Sequence, residues 1–192
     1  MATRPFPTDR HSVEGPLQAD RPAAGRTNRY QLQVVGTHIV EVVESAGGWL
    51  CDRARAGWDV NVLVADRQDA RPLTILGATA LDVDAGFAAI MRAASRGGAL
   101  AISAGLLGAD ERVRAEVLRL LKRGMTEVIV WGDKWPAELG RRVDPVQRPM
   151  SNAARAFKAH ALGAAAVSND SISATETLFY LGAESFRPLY SV

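Results

Sequence analysis

The chain runs Trp58-Asp-Val-Asn-Val-Leu-Val-Ala-Asp66 through its clearest strand, which is β-branched, almost continuously apolar and closed by an acidic residue. A strand that is buried on both faces is apolar throughout, as in parallel sheets, whereas a half-exposed strand alternates polar and apolar residues. The stretch therefore predicts an inner strand of a parallel sheet.

A long amphipathic segment precedes this strand. Apolar residues recur over 39–54 at spacings of three and four, which predicts a helix with Thr37 as its N-cap and Gly57 at its end. Gly47-Gly48 interrupts the pattern, and each glycine costs a helix roughly 1 kcal/mol relative to alanine. The pair therefore predicts close packing against a neighbouring backbone, although an extra strand over 38–46 is an alternative.

The same alternation continues along the chain. Further strands are predicted at 30–35, 72–77, 100–107 and 126–131, and further helices at 84–96, 110–123 and 152–166, with 177–181 as a strand or a helix. Buried strands that alternate with amphipathic helices predict a three-layer α/β fold, with a mostly parallel sheet and helices on both of its faces.

The predicted domain organisation has three parts. Residues 1–29 contain many prolines and arginines and no apolar periodicity, which predicts a disordered N-terminal arm. Residues 30–135 are predicted as the α/β core. Residues 136–192 are predicted as a loop followed by the C-terminal helix, packed on the same domain, and whether they also extend the sheet stays open.

Composition excludes several classes of protein. Of the 192 residues, 47% are hydrophobic, which excludes general disorder, and Cys51 is the only cysteine, which excludes a disulfide framework or a cysteine-based structural zinc site. No apolar run approaches the roughly 18 residues of a membrane helix, and the N-terminus lacks the apolar core of a signal peptide. We therefore expect a soluble, cytoplasmic protein without a membrane partner.

The net charge of +2 lies entirely in the predicted arm. Residues 1–30 carry five arginines against three acidic residues, whereas the other 162 residues carry 18 basic and 18 acidic side chains. A neutral core lacks the basic face that nucleic-acid binding needs, so a nucleic-acid partner is not expected.

Familiar catalytic motifs are absent from the sequence. It contains no G-x-x-x-x-G-K-[ST] phosphate loop, no G-x-S-x-G elbow and no H-E-x-x-H zinc motif. Because His11, His38 and His160 are the only histidines, neither a histidine triad nor a site with several histidine ligands is expected. Cys51 lies among apolar residues of a predicted helix and is interpreted as a buried side chain, not as a nucleophile.

Acidic residues end two of the predicted strands. Asp66 and Asp133 follow buried strands, and ligands of parallel α/β sheets bind beyond the carboxyl ends of the strands. Two carboxylates there would hold Mg²⁺ through water while Arg67 or Lys134 faces a phosphate. The alternative is that all four are ordinary loop residues, since aspartate favours turns. No cofactor is assigned.

Glycines and an acid also fit the second half of a dinucleotide-binding unit. Gly47-Gly48 lies within the helix, Gly57 ends it, and Asp66 ends the following strand. No G-x-G-x-x-G follows a strand, however, and helix–glycine–strand turns are common to all α/β proteins. Dinucleotide binding is therefore the weaker ligand hypothesis.

Basic and aromatic residues in the C-terminal part are candidates for an interface. Arg155 and Lys158 are three residues apart on one side of the predicted helix, and Arg148 lies in the preceding loop. They would suit a phosphate contact, but a solvated helix face is the more ordinary interpretation. Trp135 is the best interface candidate among the tryptophans, because it precedes Pro136 and because tryptophan is enriched at interface hot spots.

Two stretches of the predicted core resemble a known family. They are Gly48-Trp-Leu-Cys-Asp-Arg-Ala-Arg-Ala-Gly-Trp-Asp-Val-Asn-Val-Leu-Val and Ala89-Ile-Met-Arg-Ala-Ala-Ser-Arg-Gly. Together with the order of elements from His38 to Asp133, about half of the chain, they resemble the RecA-like cores of the SulA/ImuA type. The resemblance implies a regulator that binds a protein partner in DNA-damage or division control. No acid ends the predicted strand 100–107, which puts nucleotide hydrolysis in doubt.

Two functions follow from these patterns. The first is a non-catalytic α/β binding or regulatory module that acts through a protein partner or as a homo-oligomer, with candidate interface residues Trp135, Arg148, Arg155 and Lys158. The alternative is an enzyme that binds a nucleotide or another small phosphate-bearing ligand through acids at the strand ends, with candidate residues Asp66, Arg67, Asp133 and Lys134. The sequence leaves open whether the chain is an enzyme.

Overall fold

The computed structural model describes residues 30–66, 69–81, 83–132, 139, 144–168 and 172–181. The predicted arm over 1–29 lies outside these residues, and so do four candidate site residues, Arg67, Asp133, Lys134 and Trp135. Among the described residues, no helix combines the length and the apolar character needed to cross a bilayer.

Strands and helices alternate along the described chain. In chain order they are β1 (Gln31–His38), α1 (Ile39–Arg55), β2 (Asp59–Asp66), α2 (Arg71–Ile75), β3 (Thr79–Ala80), α3 (Val83–Ala94), β4 (Ala99–Ser103), α4 (Ala104–Ala109), α5 (Glu111–Arg123), β5 (Glu127–Trp131), β6 (Val146–Pro149), α6 (Asn152–Ala164) and β7 (Thr175–Leu181). Strands β1 to β5 are parallel, β7 is antiparallel to β5, and β6 is antiparallel to β7. The sheet has the order β3-β2-β1-β4-β5-β7-β6.

Helices cover both faces of this sheet. On one face, α1, α2 and α6 bury a core that includes Val42, Leu50 and Leu73. On the other face, α3, α4 and α5 bury a second core that includes Ile90 and Leu107. The two cores confirm the predicted three-layer α/β fold with a mostly parallel sheet.

The order of the strands reverses in the middle of the sheet. From β1 the chain proceeds outward through β2 to β3, and from β4, on the other side of β1, it proceeds through β5. In open α/β sheets such a reversal leaves a crevice at the carboxyl ends of the two central strands, where ligands bind. We therefore expect a ligand site at the carboxyl edge of the sheet, near the ends of β1 and β4.

The strand predicted over 72–77 is wrong, and the one predicted over 100–107 is right only in its first half. Residues 72–77 lie mainly in α2, where Pro72 occupies the first turn and Leu73 is buried. Proline is tolerated there because its missing N–H has no partner in a first turn. The strand predicted over 100–107 ends at Ser103, and α4 takes the remainder. Short apolar runs suit either element, so periodicity alone could not separate them.

The helix starts agree with the sequence at two of three caps. Asp110 caps α5 by accepting bonds from two backbone N–H groups, and Ser151 caps α6 in the same way with one. At α1 the prediction of Thr37 is wrong, because His38 is the N-cap and its side chain makes no capping bond. Residues 39–46 are helical, which excludes the alternative strand.

The C-terminal part extends the sheet through β6 and β7. Residues 177–181 belong to β7, which pairs with β5 on one side and with β6 on the other. Because successive strand residues point to opposite faces, Leu178 contributes to the core beneath α1 and Phe179 to the core on the other face. This alternation places Glu176 on the side of α1.

Candidate functional site

His38 lies at the carboxyl edge, where β1 ends beside β4. It is exposed, and its backbone pairs in register with that of Asp66, the last residue of β2. The side chain of Asp66 is not among the described parts of the chain. Because parallel sheets bind ligands at their carboxyl edge, His38 is a candidate site residue.

Glu41 lies one turn into α1, with both carboxylate oxygens in hydrogen bonds. The Oε2 atom accepts from the backbone N–H of Thr37 at 3.1 Å and from its hydroxyl at 3.0 Å. The Oε1 atom accepts from the indole Nε1–H of Trp131 at 2.6 Å. A carboxylate in the first turn is also favoured by the helix dipole. These bonds connect the start of α1 to the end of β5.

Gly36 explains how α1 comes so close to the end of β1. A Cβ atom added at this residue would lie 2.4 Å from Cγ2 of Val42 and 3.2 Å from Oε2 of Glu41. Only glycine leaves room for the helix and for the carboxylate at this distance.

A cleft of ≈ 690 Å³ is lined by residues that are close in sequence to Glu41 and Trp131, but not by His38, Glu41 or Trp131 themselves. It is bordered by Gly132, which follows Trp131, and by Glu44 and Ser45, which share a helix face with Glu41 because they follow it by three and four residues. Its other described walls come from α6, β7 and two loop segments: Pro145, Lys158, Leu162, Ser168, Ile172, Ser173, Thr175, Glu176, Thr177 and Phe179. The cleft therefore opens at the carboxyl edge and carries carboxylate, ammonium and hydroxyl groups.

A buried ion pair forms part of the cleft wall. Lys158 of α6 donates from Nζ to Oε1 of Glu176 at 2.7 Å, and the two side chains are 7% and 2% exposed. Lys158 also donates to the backbone carbonyl of Glu44 at 2.6 Å. Glu176 accepts from the backbone N–H groups of Gly48 at 2.9 Å and Trp49 at 2.7 Å. Each charge is thus paired and hydrogen-bonded, as a charge away from water requires.

Gly47 and Gly48 of α1 pack closely against their neighbours, as the sequence predicted from two glycines inside a helix. A Cβ atom at Gly48 would lie 1.8 Å from Sδ of Met150, and one at Gly47 would lie 3.3 Å from Leu76 and from Val43. The predicted close packing is therefore confirmed, but the neighbours are side chains and not a backbone.

Cys51 lies on α1 near this contact. It is buried, as predicted, and has no disulfide partner among the described residues. Burial, followed by the nearby charge of Asp52, raises the pKa of its thiol above the ordinary value. The side chain is therefore a poor nucleophile, in agreement with the interpretation from the sequence.

The predicted phosphate-binding residues fall on separated strands. Asp66 is the last residue of β2, and Asp133 comes two residues after β5 in the sequence; β2 and β5 both end at the carboxyl edge. Two strands, β1 and β4, lie between them, which corresponds to about 14 Å at the usual strand spacing. Because Arg67, Asp133 and Lys134 are outside the described chain, the magnesium and phosphate hypothesis stays a prediction.

The predicted interface residues differ from one another in their surroundings. Lys158 is buried in the cleft wall, so the interpretation as a solvated face is wrong for this residue, whereas Arg155 is exposed. Arg148 on β6 donates to the hydroxyl of Tyr180 at 2.7 Å, and its guanidinium lies 5.2 Å from the centre of that ring. A role of these residues or of Trp135 in an interface is not tested by these contacts.

Sequence reasoning missed the partners of the buried pair. Glu176 lies 18 residues beyond Lys158 and 128 beyond Gly48. No local sequence pattern predicts contacts over such separations.

Among the described residues, no three histidine, cysteine, aspartate or glutamate side chains come together as a metal-binding group.

Comparison with known proteins shows a shared fold. The chain matches no family model and no curated protein. It is similar to the solved structure of the A40926 pseudoaglycone deacetylase, with a TM-score of 0.52 and 15% identity over 79% of this chain and 96% of that one. A deacetylase of teicoplanin biosynthesis gives a TM-score of 0.50 and 14% identity, over 78% and 97%. The 4-carboxy-2-hydroxymuconate hydratase of Pseudomonas putida, at 10% identity over 79% and 95%, has a TM-score of 0.45 and supports no argument.

The comparison corrects two expectations. The resemblance to RecA-like regulators is wrong, because the solved structures that share this fold are deacetylases. The resemblance rested on the order of elements along the chain, which many doubly wound sheets share, and not on strand order in space. The hypothesis of a non-catalytic regulatory module is wrong with it, because the fold is one found in enzymes.

Proposed function

We propose that the chain is an enzyme that acts on a small molecule in the cleft at the carboxyl edge of its sheet. The observation that carries the proposal is the cleft of ≈ 690 Å³, which opens beside the end of β5 and has charged and hydroxyl groups on its walls. Concave sites of this size with a few polar groups are the usual places of small-molecule binding. In doubly wound sheets they lie at this edge.

The reaction class we infer is hydrolysis of the amide bond in an N-acylated amine. Its support is the fold shared with two structures whose names are those of deacetylases. In this reaction water adds to the carbonyl carbon, the C–N bond breaks, and the nitrogen leaves as an amine with a proton from water. His38 is exposed at the carboxyl edge, and we assign it the transfer of that proton. Both carboxylate oxygens of Glu41 accept hydrogen bonds from Thr37 and Trp131, so we assign it the role of holding the start of α1 against the end of β5.

The test is release of amine from a panel of N-acetylated amino acids, amino alcohols and amino sugars. We expect at least one to be hydrolysed, and His38→Ala to lower the rate about 10²- to 10⁴-fold, the usual contribution of general acid–base catalysis. His160→Ala is the matched control, because His160 is also an exposed histidine but lies on α6 and not at the carboxyl end of a parallel strand. Hydrolysis that His38→Ala leaves unchanged contradicts the assignment, and no hydrolysis of any panel member contradicts the reaction class.

The remaining expectations from the sequence are kept as predictions. A phosphate-bearing ligand at Asp66, Arg67, Asp133 and Lys134 is one of them. A protein partner or self-association, the absence of a membrane or nucleic-acid partner, and a location in the cytoplasm are the others. None of them is needed for the proposed amide hydrolysis.

A further inference from the structure

The buried pair of Lys158 and Glu176 contacts the middle of helix α1 through its backbone. The carbonyl of Glu44 and the N–H of Gly48 are four residues apart, so they are the acceptor and the donor that a regular α-helix joins. Here the carbonyl accepts from Nζ of Lys158 at 2.6 Å, and the N–H donates to Glu176 at 2.9 Å. The N–H of Trp49 donates to the other oxygen of Glu176 at 2.7 Å. The pair therefore bonds the acceptor and the donor of one helical step of α1.

This arrangement has a fixed polarity. The helix offers one acceptor, the carbonyl of Glu44, and two donors, the N–H groups of Gly48 and Trp49. A cation therefore belongs at position 158 and an anion at position 176. An ordinary ion pair tolerates exchange of its two charges, but an exchange here would direct an ammonium group at two N–H donors.

The pair also joins the cleft wall to the helix that begins at the carboxyl edge. Lys158 and Glu176 belong to α6 and β7, which form one wall of the cleft. The half of α1 before their contact begins after His38 and carries Glu41. Glu41 bonds the indole of Trp131 from this half of the helix. Bonds at two places along α1 thus connect the cleft wall and the end of β5 to the same helix.

We propose that Lys158 and Glu176 are positioning residues, which hold the N-terminal half of α1 so that Glu41 reaches Trp131 and His38 is kept at the carboxyl edge of the sheet. The catalytic part of this inference rests on the proposed function of His38. The geometric part does not, because the Glu41–Trp131 bond can be observed without a substrate.

The experiment follows the indole N–H of Trp131 by ¹H–¹⁵N NMR, with Trp131→Phe to assign the signal. In Lys158→Met and in Glu176→Gln we expect this signal to shift upfield, as its bond to Glu41 lengthens. Arg155→Met, an exposed position on the same helix, is the matched control and leaves the signal in place. Val117→Ala, a buried change on the opposite face of the sheet, controls for loss of stability alone and also leaves it in place.

The charge exchange is the discriminating variant. We expect Lys158→Glu combined with Glu176→Lys to shift the signal at least as far as either single change, and Lys158→Arg to preserve most of the wild-type position. An unchanged signal in folded Lys158→Met and Glu176→Gln overturns the proposal, and so does its recovery in the exchanged pair. If Lys158→Met does not fold, Glu176→Gln decides alone, since its amide oxygen can still accept one N–H bond.

Activity separates this inference from the proposed function. On an amide that the wild-type protein hydrolyses, we expect Glu176→Gln to lower kcat while KM changes little. Failure of all amides contradicts the proposed reaction but leaves the NMR result valid. A shifted indole signal with unchanged kcat overturns the positioning role.

Discussion

The ammonium group of Lys158 is a charge with little access to water. Its side chain is 7% exposed, and Glu176 and the carbonyl of Glu44 accept its hydrogen bonds. Removal of one member of such a pair leaves the other charge buried without compensation. Stability at this site is therefore controlled by single side chains.

The first prediction concerns truncation of this lysine. We expect Lys158→Ala to lower the free energy of unfolding by about 3–5 kcal/mol, because the carboxylate of Glu176 stays buried. Arg155→Ala, on the exposed side of the same helix, is expected to change it by less than about 0.5 kcal/mol. Urea denaturation of both variants measures the difference, and equal losses would contradict the burial of the charge.

The second prediction concerns Cys51, whose thiol pKa is raised by burial. Because the pKa is higher in the folded protein than in the unfolded chain, the thiol's contribution to stability is complete below the unfolded value. It is lost as the pH rises through the folded value. We expect a thiol reagent to label Cys51 rapidly in urea but very slowly in the native protein at pH 8. Rapid native labelling would contradict the raised pKa.

The sequence indicated several of these residues without their partners. The buried state of Cys51 follows from its apolar neighbours, and the close contact at Gly47-Gly48 follows from glycine inside a helix. The partner of Lys158 could not be predicted, because Glu176 lies on another element and no local spacing relates the two.

Among the elements, α1 begins at the carboxyl edge of the sheet and has a close contact in its middle. The contact is possible because Gly48 has no side chain: a Cβ atom would lie 1.8 Å from Sδ of Met150 and 2.6 Å from its Cγ. Helix propensity and packing thus make opposite demands at this position.

The third prediction tests whether helix propensity or packing has the larger effect at Gly48. Gly48→Ala is expected to destabilise the protein by about 1–3 kcal/mol through overpacking, although alanine favours a helix. Gly163→Ala on α6, where nothing lies within 4 Å of an added Cβ, is expected to be neutral or to stabilise by up to about 1 kcal/mol. Thermal unfolding of the two variants compares them. If the interpretation is right, adding Met150→Ala to Gly48→Ala recovers part of the loss; no recovery would refute it.

Elements with a clear period were predicted well, and short ones were not. The 3.6-residue pattern identified α1, α5 and α6, and the caps Asp110 and Ser151 identified the starts of α5 and α6. The run 72–77 was assigned to a strand because a short, mostly apolar run fits either element, and only packing against α6 and α1 selects the helix.

At the scale of the whole molecule, the sheet places the ends of β1, β2, β4 and β5 along one edge. The chain pattern predicted that the strands are parallel and covered on both faces. It could not predict their order, or that β7 inserts between β5 and β6, because strand order depends on contacts far apart in the sequence. The cleft results from that order.

The fourth prediction tests the remaining ligand hypothesis on the whole protein. If Asp66 helps to bind a phosphate-bearing ligand, then ATP, ADP, GTP or NAD(H) with Mg²⁺ at 100 times its Kd would add about 2.7 kcal/mol, or about 5–10 °C in Tm. Asp66→Ala would abolish the shift, while Asp59→Ala at the opposite end of β2 would preserve it. No shift with any of these ligands would end the hypothesis.

The distance along the chain between α1 and its partners has a consequence for synthesis. The bonds from Lys158 and Glu176 to α1 span 114 to 128 residues. Contacts between such distant residues close late in folding. On the ribosome, a nascent chain that has emerged through β5 still lacks the carboxylate that Gly48 and Trp49 require. Helix α1 can therefore complete these contacts only after translation has reached Glu176 in β7.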